Sequence, residues 1–278
     1  MCNQIEELGE YSLFPSYHGL FQLENENNQE VLFDLQYIVG DQGQGSRYQQ
    51  DYFPPTIGFP SKGFVVPTQN LVNEYEMIDG SEIDPENPYE GRDPRLDFTV
   101  VRPGAYWSGA LFPTEAMNHV GQKVGFSMRK YSIEGQTFPP FQGPLNFIIL
   151  RYADVLLSKA EALIELDKID EGITVLNRIR TERDDVKMFE ISLGLSKEQA
   201  RKRYRKERRI ELAMEGLYWN DFRRWDLGFE VYPLSIISKD GGVVEVRFPN
   251  GYNERYRYLP IYSSELSLNP NLVQNAGW

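Results

Sequence analysis

A single cysteine, Cys2, and two histidines, His18 and His119, are all this 278-residue chain holds of the side chains that most often bind transition metals or attack substrates. No internal disulfide and no cysteine-based zinc site is available to it. The motifs Gly-x-Ser-x-Gly, His-Glu-x-x-His and the P-loop are missing, which removes the commonest hydrolase and nucleotide-binding signatures. Long apolar runs are missing too: nothing approaches the roughly 20 consecutive apolar residues of a membrane helix. Met1 to Glu10 lacks the basic and apolar character of a signal segment, so any membrane attachment is expected to lie outside this chain. Cys2 sits behind the first Met, yet no apolar run precedes it, and Cys2 to Leu8 reads as a polar helical stretch cut from something longer. Positive charge is in short supply, with 29 Lys and Arg against 41 Asp and Glu for a net -12, which argues against nucleic acid as a partner. The basic stretch Arg201 to Arg209 is the exception. Glu198, Glu207, Glu211 and Glu215 share its predicted helix at spacings that suit intrahelical ion pairs, so a salt-bridged helix is the expectation there.

Apolar and aromatic residues are plentiful, 41% and 13%, enough for a packed core. Up to about Pro144 they are broken up by turn formers: Gly40 to Gly45, Pro54-Pro55, Asp84 to Pro88, Pro139-Pro140 and Gly143-Pro144. Val31 to Val39 is the strand expected in this half, and Thr68 is expected to cap a short helix presenting Leu71, Val72, Tyr75 and Ile78. Gly40, Gly43 and Gly45 are wrongly spaced for a dinucleotide fingerprint and read as a surface loop.

From Asn146 onward the pattern turns helical. Phe147 to Leu166 predicts one long helix, Asp167-Lys168 breaks it, and Ile169, Ile173, Leu176, Ile179 and Arg180 form a second amphipathic helix folded back on the first. Ala153, Ala160 and Ala162 would let the two approach closely. The pair has the size of a tetratricopeptide repeat, and such repeats bury their faces by stacking. Ile148, Ile149, Val155, Leu156, Leu163 and Ile164 exceed what one facing helix covers, so the cover is expected from outside this chain. A third helix opens at Ser196 with Gln199 in a capping box and is expected to stop at Gly216. Val243 to Phe248 and Arg255 to Leu259, flanked by Asp240-Gly241-Gly242 and Pro249-Asn250-Gly251, are expected to pair as a β-hairpin.

Four segments together resemble one family. They are Arg92-Asp93-Pro94-Arg95; Phe147 to Leu157 with Ala160-Glu161-Ala162 and Asn177 to Arg180; Glu207 to Gly216 with Trp219, Asp221 and Arg224-Trp225; and Leu259-Pro260-Ile261 through Ser264-Glu265, Asn269 to Leu272 and Gln274-Asn275. In this order they resemble the C-terminal half of the SusD/RagB family. The resemblance implies a mainly α fold with long loops and a small β-hairpin, a partial tetratricopeptide-like scaffold. Residues 1–146 would be its loop-rich variable region and 147–278 its helical region, within one continuous domain. It also implies a non-catalytic, outer-membrane, cell-surface subunit that binds oligosaccharide or polysaccharide, meets the membrane only through a lipid anchor outside this chain, and works with a TonB-dependent transporter barrel. The helical hairpin by itself motivates an alternative, a scaffold that binds peptide or protein.

Glu207, Glu211 and Glu215 recur every four residues and invite comparison with glycosidase carboxylates. Arg208 and Arg209 beside them would keep the carboxylates ionised, and pairing to the hairpin through Arg151 or Asp154 is the better expectation. Trp219 and Trp225 are expected in the core. No residue pattern calls for a metal or a cofactor. Glycan binding needs only aromatic faces and hydrogen-bonding neighbours. Two loops supply them: Tyr106-Trp107 with Phe112, and Tyr48, Tyr52 and Phe53 beside Gln49, Gln50 and Asp51. Tyr106-Trp107 lies between Gly104 and Gly109, where little apolar sequence is at hand to bury both rings.

Overall fold

Short elements and long connections make up the first half, as the turn formers require. The computed structural model describes residues 1–40, 43–53, 62–112, 124–136, 138–139 and 141–278; Pro54, Pro55, His119 and Pro140 lie outside them. Helix α1 (Cys2–Leu8) is followed by strand β1 (Val31–Leu35), then by helices α2 (Tyr48–Tyr52), α3 (Gln69–Val72) and α4 (Arg95–Thr99). Four two-residue strands come next: β2 (Val100–Val101), β3 (Tyr106–Trp107), β4 (Ala110–Leu111) and β5 (Ser127–Met128), with β2 antiparallel to β5 and β3 to β4. Thr68 stands at the N-cap of α3, but its side chain makes no capping bond. Val72 and Tyr75 are buried as expected, whereas Ile78 is exposed.

The expected long helix begins later than its apolar run. Phe147–Arg151 is strand β6, antiparallel to β1 through Val31↔Arg151 and Leu35↔Phe147, and only Tyr152–Glu165 is helix α5. An apolar run this short carries no period that separates strand from helix, and the partner strand decides. Helix α6 (Ile169–Thr181) returns along α5 after Asp167, whose φ of 62° makes the break. Ala153 and Ala160 are buried in the contact while Ala162 faces solvent.

The tightest approach is at Gly172, where an added Cβ would lie 2.7 Å from Ile164 Cγ1 and 2.9 Å from the Ala160 carbonyl oxygen. Two effects of Gly172→Ala therefore oppose each other. Replacing a glycine in the first turn of a helix favours the helix by at most about 1 kcal/mol, but overpacking against backbone costs about 1–3 kcal/mol. The expected result is a lower urea midpoint with an unchanged m-value. A raised midpoint would show that the hairpin yields.

Helix α7 (Lys197–Glu211) starts with the expected capping box and ends before Gly216, whose φ of 79° belongs to the following turn. It packs on both hairpin helices and, with Cys2 and Ile5 of α1, buries Val155, Leu156 and Ile164. The apolar surface expected to need cover from outside is thus largely covered from within; Ile149 is the exception, at 46% exposure. Helices α8 (Tyr218–Arg224) and α9 (Gly228–Val231) lead to strands β7 (Leu234–Ile237) and β8 (Val243–Arg247), and helix α10 (Ser263–Leu268) follows near the C-terminus. The hairpin forms around Asp240-Gly241-Gly242, but the partner of β8 is β7, upstream. Arg255 to Leu259, expected as strand, instead begins in a 3-10 turn (Glu254–Arg257), where the Asn253 side chain accepts a bond from the Arg255 N–H. Such local bonding competes with a sheet ladder. Among the described residues no helix is long and apolar enough to cross a membrane.

Candidate functional site

Of the acidic residues expected to pair within α7, Glu198 does so, with Arg201 and Lys202 at 4.0 Å, whereas Glu207, Glu211 and Glu215 reach across the fold. Five buried cations, Arg95, Lys130, Arg151, Arg180 and Arg183, meet five buried carboxylates, Glu30, Asp93, Glu207, Glu211 and Glu215. Glu207 pairs with Arg95 (2.7 Å) and Arg180 (2.5 Å). Glu211 pairs with Arg95 (2.8 Å), Arg151 (2.7 Å) and Arg183 (2.9 Å), while Glu215 takes Arg151 and Lys130, each at 2.8 Å. Arg208 joins α7 to Asp154 and Asp221, so the expected link to the hairpin through Arg151 and Asp154 is present. Burial by itself raises a carboxyl pKa, but the surrounding guanidinium groups outweigh it and hold all three glutamates below the usual carboxylate range. A general acid needs the opposite shift. Burial pushes the Lys130 amine down to about 8, against the pull of Glu215.

The aromatic candidates divide by exposure. Trp107 is 4% exposed, Phe112 2% and Phe53 1%, all in one core cluster with Tyr17, Phe21 and Tyr131, so none of the three offers a face to a ligand. The expectation that Tyr106 and Trp107 both stay open is therefore corrected. Successive strand residues point to opposite faces, and a two-residue turn at Ser108 and Gly109 (φ 49° and 81°) closes β3 on β4 so that Trp107 points in and Tyr106 points out, at 66% exposure. Tyr48 and Tyr52 are partly buried, 4.6 Å apart, and Tyr48 also packs on Tyr131 and Phe147.

A more complete constellation lies where α3, α8, α9 and β7 meet. Asn70, Asn73, Glu74, Arg209, Tyr218, Trp219, Phe222, Val231, Tyr232 and Leu234 line a cleft of about 370 Å³, within the usual size of a small-ligand site, about 300–1,000 Å³. Asn70 ties α3 to β7, donating to the Ser235 carbonyl (3.0 Å) and accepting from the Ile237 N–H (2.9 Å). On α8, Phe222 is buried, and Trp219 lies parallel to it, with centroids 5.7 Å apart and planes 7° apart. Trp219 was expected in the core, yet it is 44% exposed. The indole is thus held against Phe222 while much of it stays open to solvent and to the cleft. Arg209 stacks 4.5 Å over Tyr218 and pairs with Glu74 at 3.1 Å. Burial raises the Tyr218 and Tyr232 phenols, which stay neutral donors at physiological pH.

Sequence reasoning passed over this cleft. Its signal was the doublet Tyr218-Trp219: neighbours about 100° apart on a short helix, followed by Asn220 and Asp221, cannot both lie on a narrow buried face.

A family model described as the SusD family matches residues 29–278. SusD-like protein P2 of Formosa agariphila is 35% identical over 135 residues, covering 47% of this chain and 25% of that protein. SusD-like protein P25 of the same organism is 26% identical, covering 99% of this chain and 53% of that protein. Among solved structures, one described as a SusD-like carbohydrate binding protein from Bacteroides fragilis superposes with a TM-score of 0.82 at 27% identity, covering 98% of this chain and 60% of that one. Another SusD-like protein from Bacteroides fragilis gives a TM-score of 0.81 at 26% identity, covering 100% and 60%. The chain thus spans about half or less of the curated relatives it matches. With the family model covering most of its length and the fold shared from end to end, this chain belongs to the SusD family.

Proposed function

We propose that this chain is part of a cell-surface glycan-capture protein, anchored at the outer membrane, that binds oligosaccharides without cleaving them and passes them to a TonB-dependent transporter barrel. The observation that carries the reading is Trp219, whose indole is stacked on Phe222 yet 44% exposed, lining a cleft with polar Asn73, Glu74, Tyr218 and Tyr232. Sugars present apolar C–H faces that stack on such a ring, and their hydroxyls take hydrogen bonds from groups of this kind. The relative from Bacteroides fragilis described as carbohydrate binding supports the same ligand class. Tyr106, exposed on the β3–β4 turn, offers a further aromatic face for stacking.

Screening the protein against immobilised glycans and a peptide library in parallel tests the reading. Glycan binding without release of reducing sugar is expected, together with co-purification of a transporter barrel from outer membranes. A response to peptides alone would favour the scaffold alternative, and sugar release by the pure protein would remove the non-catalytic assignment.

A further inference from the structure

We infer that the captured glycan carries an anionic substituent, a carboxylate or a sulfate ester, held in a second compartment beside the aromatic cleft. The inference rests on the glycan-capture reading above. This compartment, of about 220 Å³, shares Glu74, Arg209, Tyr218 and Val231 with the cleft, so an oligosaccharide stacked on Trp219 continues into it. Its wall is α7. Lys202, Arg205, Lys206 and Arg209 all line it and fall at i, i+3, i+4 and i+7, one face of the helix.

Three of these cations have carboxylates at hand: Arg209 is 3.1 Å from Glu74, Lys206 3.2 Å from Glu76 and Lys202 4.0 Å from Glu198. Arg205 is in no ion pair among the described residues: Glu165, whose carboxyl its charge helps to hold low, is itself bound to Arg201 at 2.5 Å. Its guanidinium lies 5.2 Å from the centre of the Trp225 ring, which lines the same compartment. Stacking occupies the flat face of a guanidinium and leaves its N–H edge free, the edge that meets a carboxylate or sulfate through two parallel bonds. In a chain with net charge -12, an unmatched arginine within a row of cations beside a sugar-sized cleft is a local reversal of sign. Glu230 also lines the compartment and would repel an anion, which places the substituent on the α7 side.

The test compares oligosaccharides of matched length bearing neutral, uronate or sulfate-ester residues, titrated into the intact protein and into Arg205→Gln. Thermal melts confirm that the variant folds. At least tenfold tighter binding of one or both anionic ligands is expected, weakening as salt rises. Arg205→Gln should bring that ratio close to one by weakening the anionic ligands far more than the neutral one. Preference for the uronate alone or the sulfate alone identifies the source of the anion; either supports the inference. Equal affinity for neutral and charged ligands, or a preference that survives Arg205→Gln, overturns it while leaving capture intact. No binding of any glycan overturns both.

Discussion

Glu211→Gln is expected to remove about 3–5 kcal/mol of stability, the loss typical of breaking a buried ion pair from one side. The reason is the number of groups that depend on this carboxylate. Its two oxygens accept from Arg95, Arg151 and Arg183 at 2.7–2.9 Å, and all four residues are buried. Glutamine keeps the shape but loses the charge, and its amide nitrogen would turn a donor toward guanidinium donors. Five buried cations would then face four carboxylates, away from the bulk solvent that would screen the excess. Against a typical domain stability of about 5–15 kcal/mol, the variant should unfold at a much lower urea concentration or fail to accumulate as folded protein. Glu171→Gln, at the exposed pair with Lys168, is the control and should change stability by less than about 0.5 kcal/mol. A Glu211→Gln protein within 1 kcal/mol of the original would sink this account.

The same site sets a sign for pH. The folded pKa of Glu211 is depressed, as are those of Glu207 and Glu215. Their contribution is therefore complete above the unfolded carboxyl pKa of about 4.3 and is lost as pH falls through the lower folded values. Stability should decline below about pH 4–5, and Glu211→Gln should flatten that acid limb.

The second large effect concerns binding. Trp219→Ala should weaken glycan affinity by about 2 kcal/mol, roughly thirtyfold, the loss seen when an aromatic anchor at the centre of a contact is truncated. The fold should survive, because the ring is 44% exposed and packs mainly on Phe222. Trp219→Phe retains a stacking face and should recover part of the affinity, whereas Phe53→Ala, a change in the core, should lower stability instead. Calorimetric titration with the best glycan from the screen measures the two affinities, and a urea melt the stability of Phe53→Ala. An unchanged Kd for Trp219→Ala would move the binding site elsewhere and leave the family assignment untouched.

The sequence determined what rests on local chemistry. The capping box at Ser196 and Gln199, the break at Asp167, the turn at Asp240-Gly241 and the second hairpin helix all follow from residues within a few positions of one another. The order of the family segments likewise pointed to the SusD family without any structure. What only the tertiary structure decided was pairing over long distances and the direction of individual side chains. β6 is a strand because β1 lies beside it, and Glu207, Glu211 and Glu215 serve Arg95, Arg151, Arg180 and Arg183 from other elements rather than cations on their own helix. Which aromatics are open could not be read from composition, because one step along a strand or a short helix reverses or rotates a side chain. That single step buries Trp107 and exposes Tyr106, and it turns Trp219 out of the core and into the cleft.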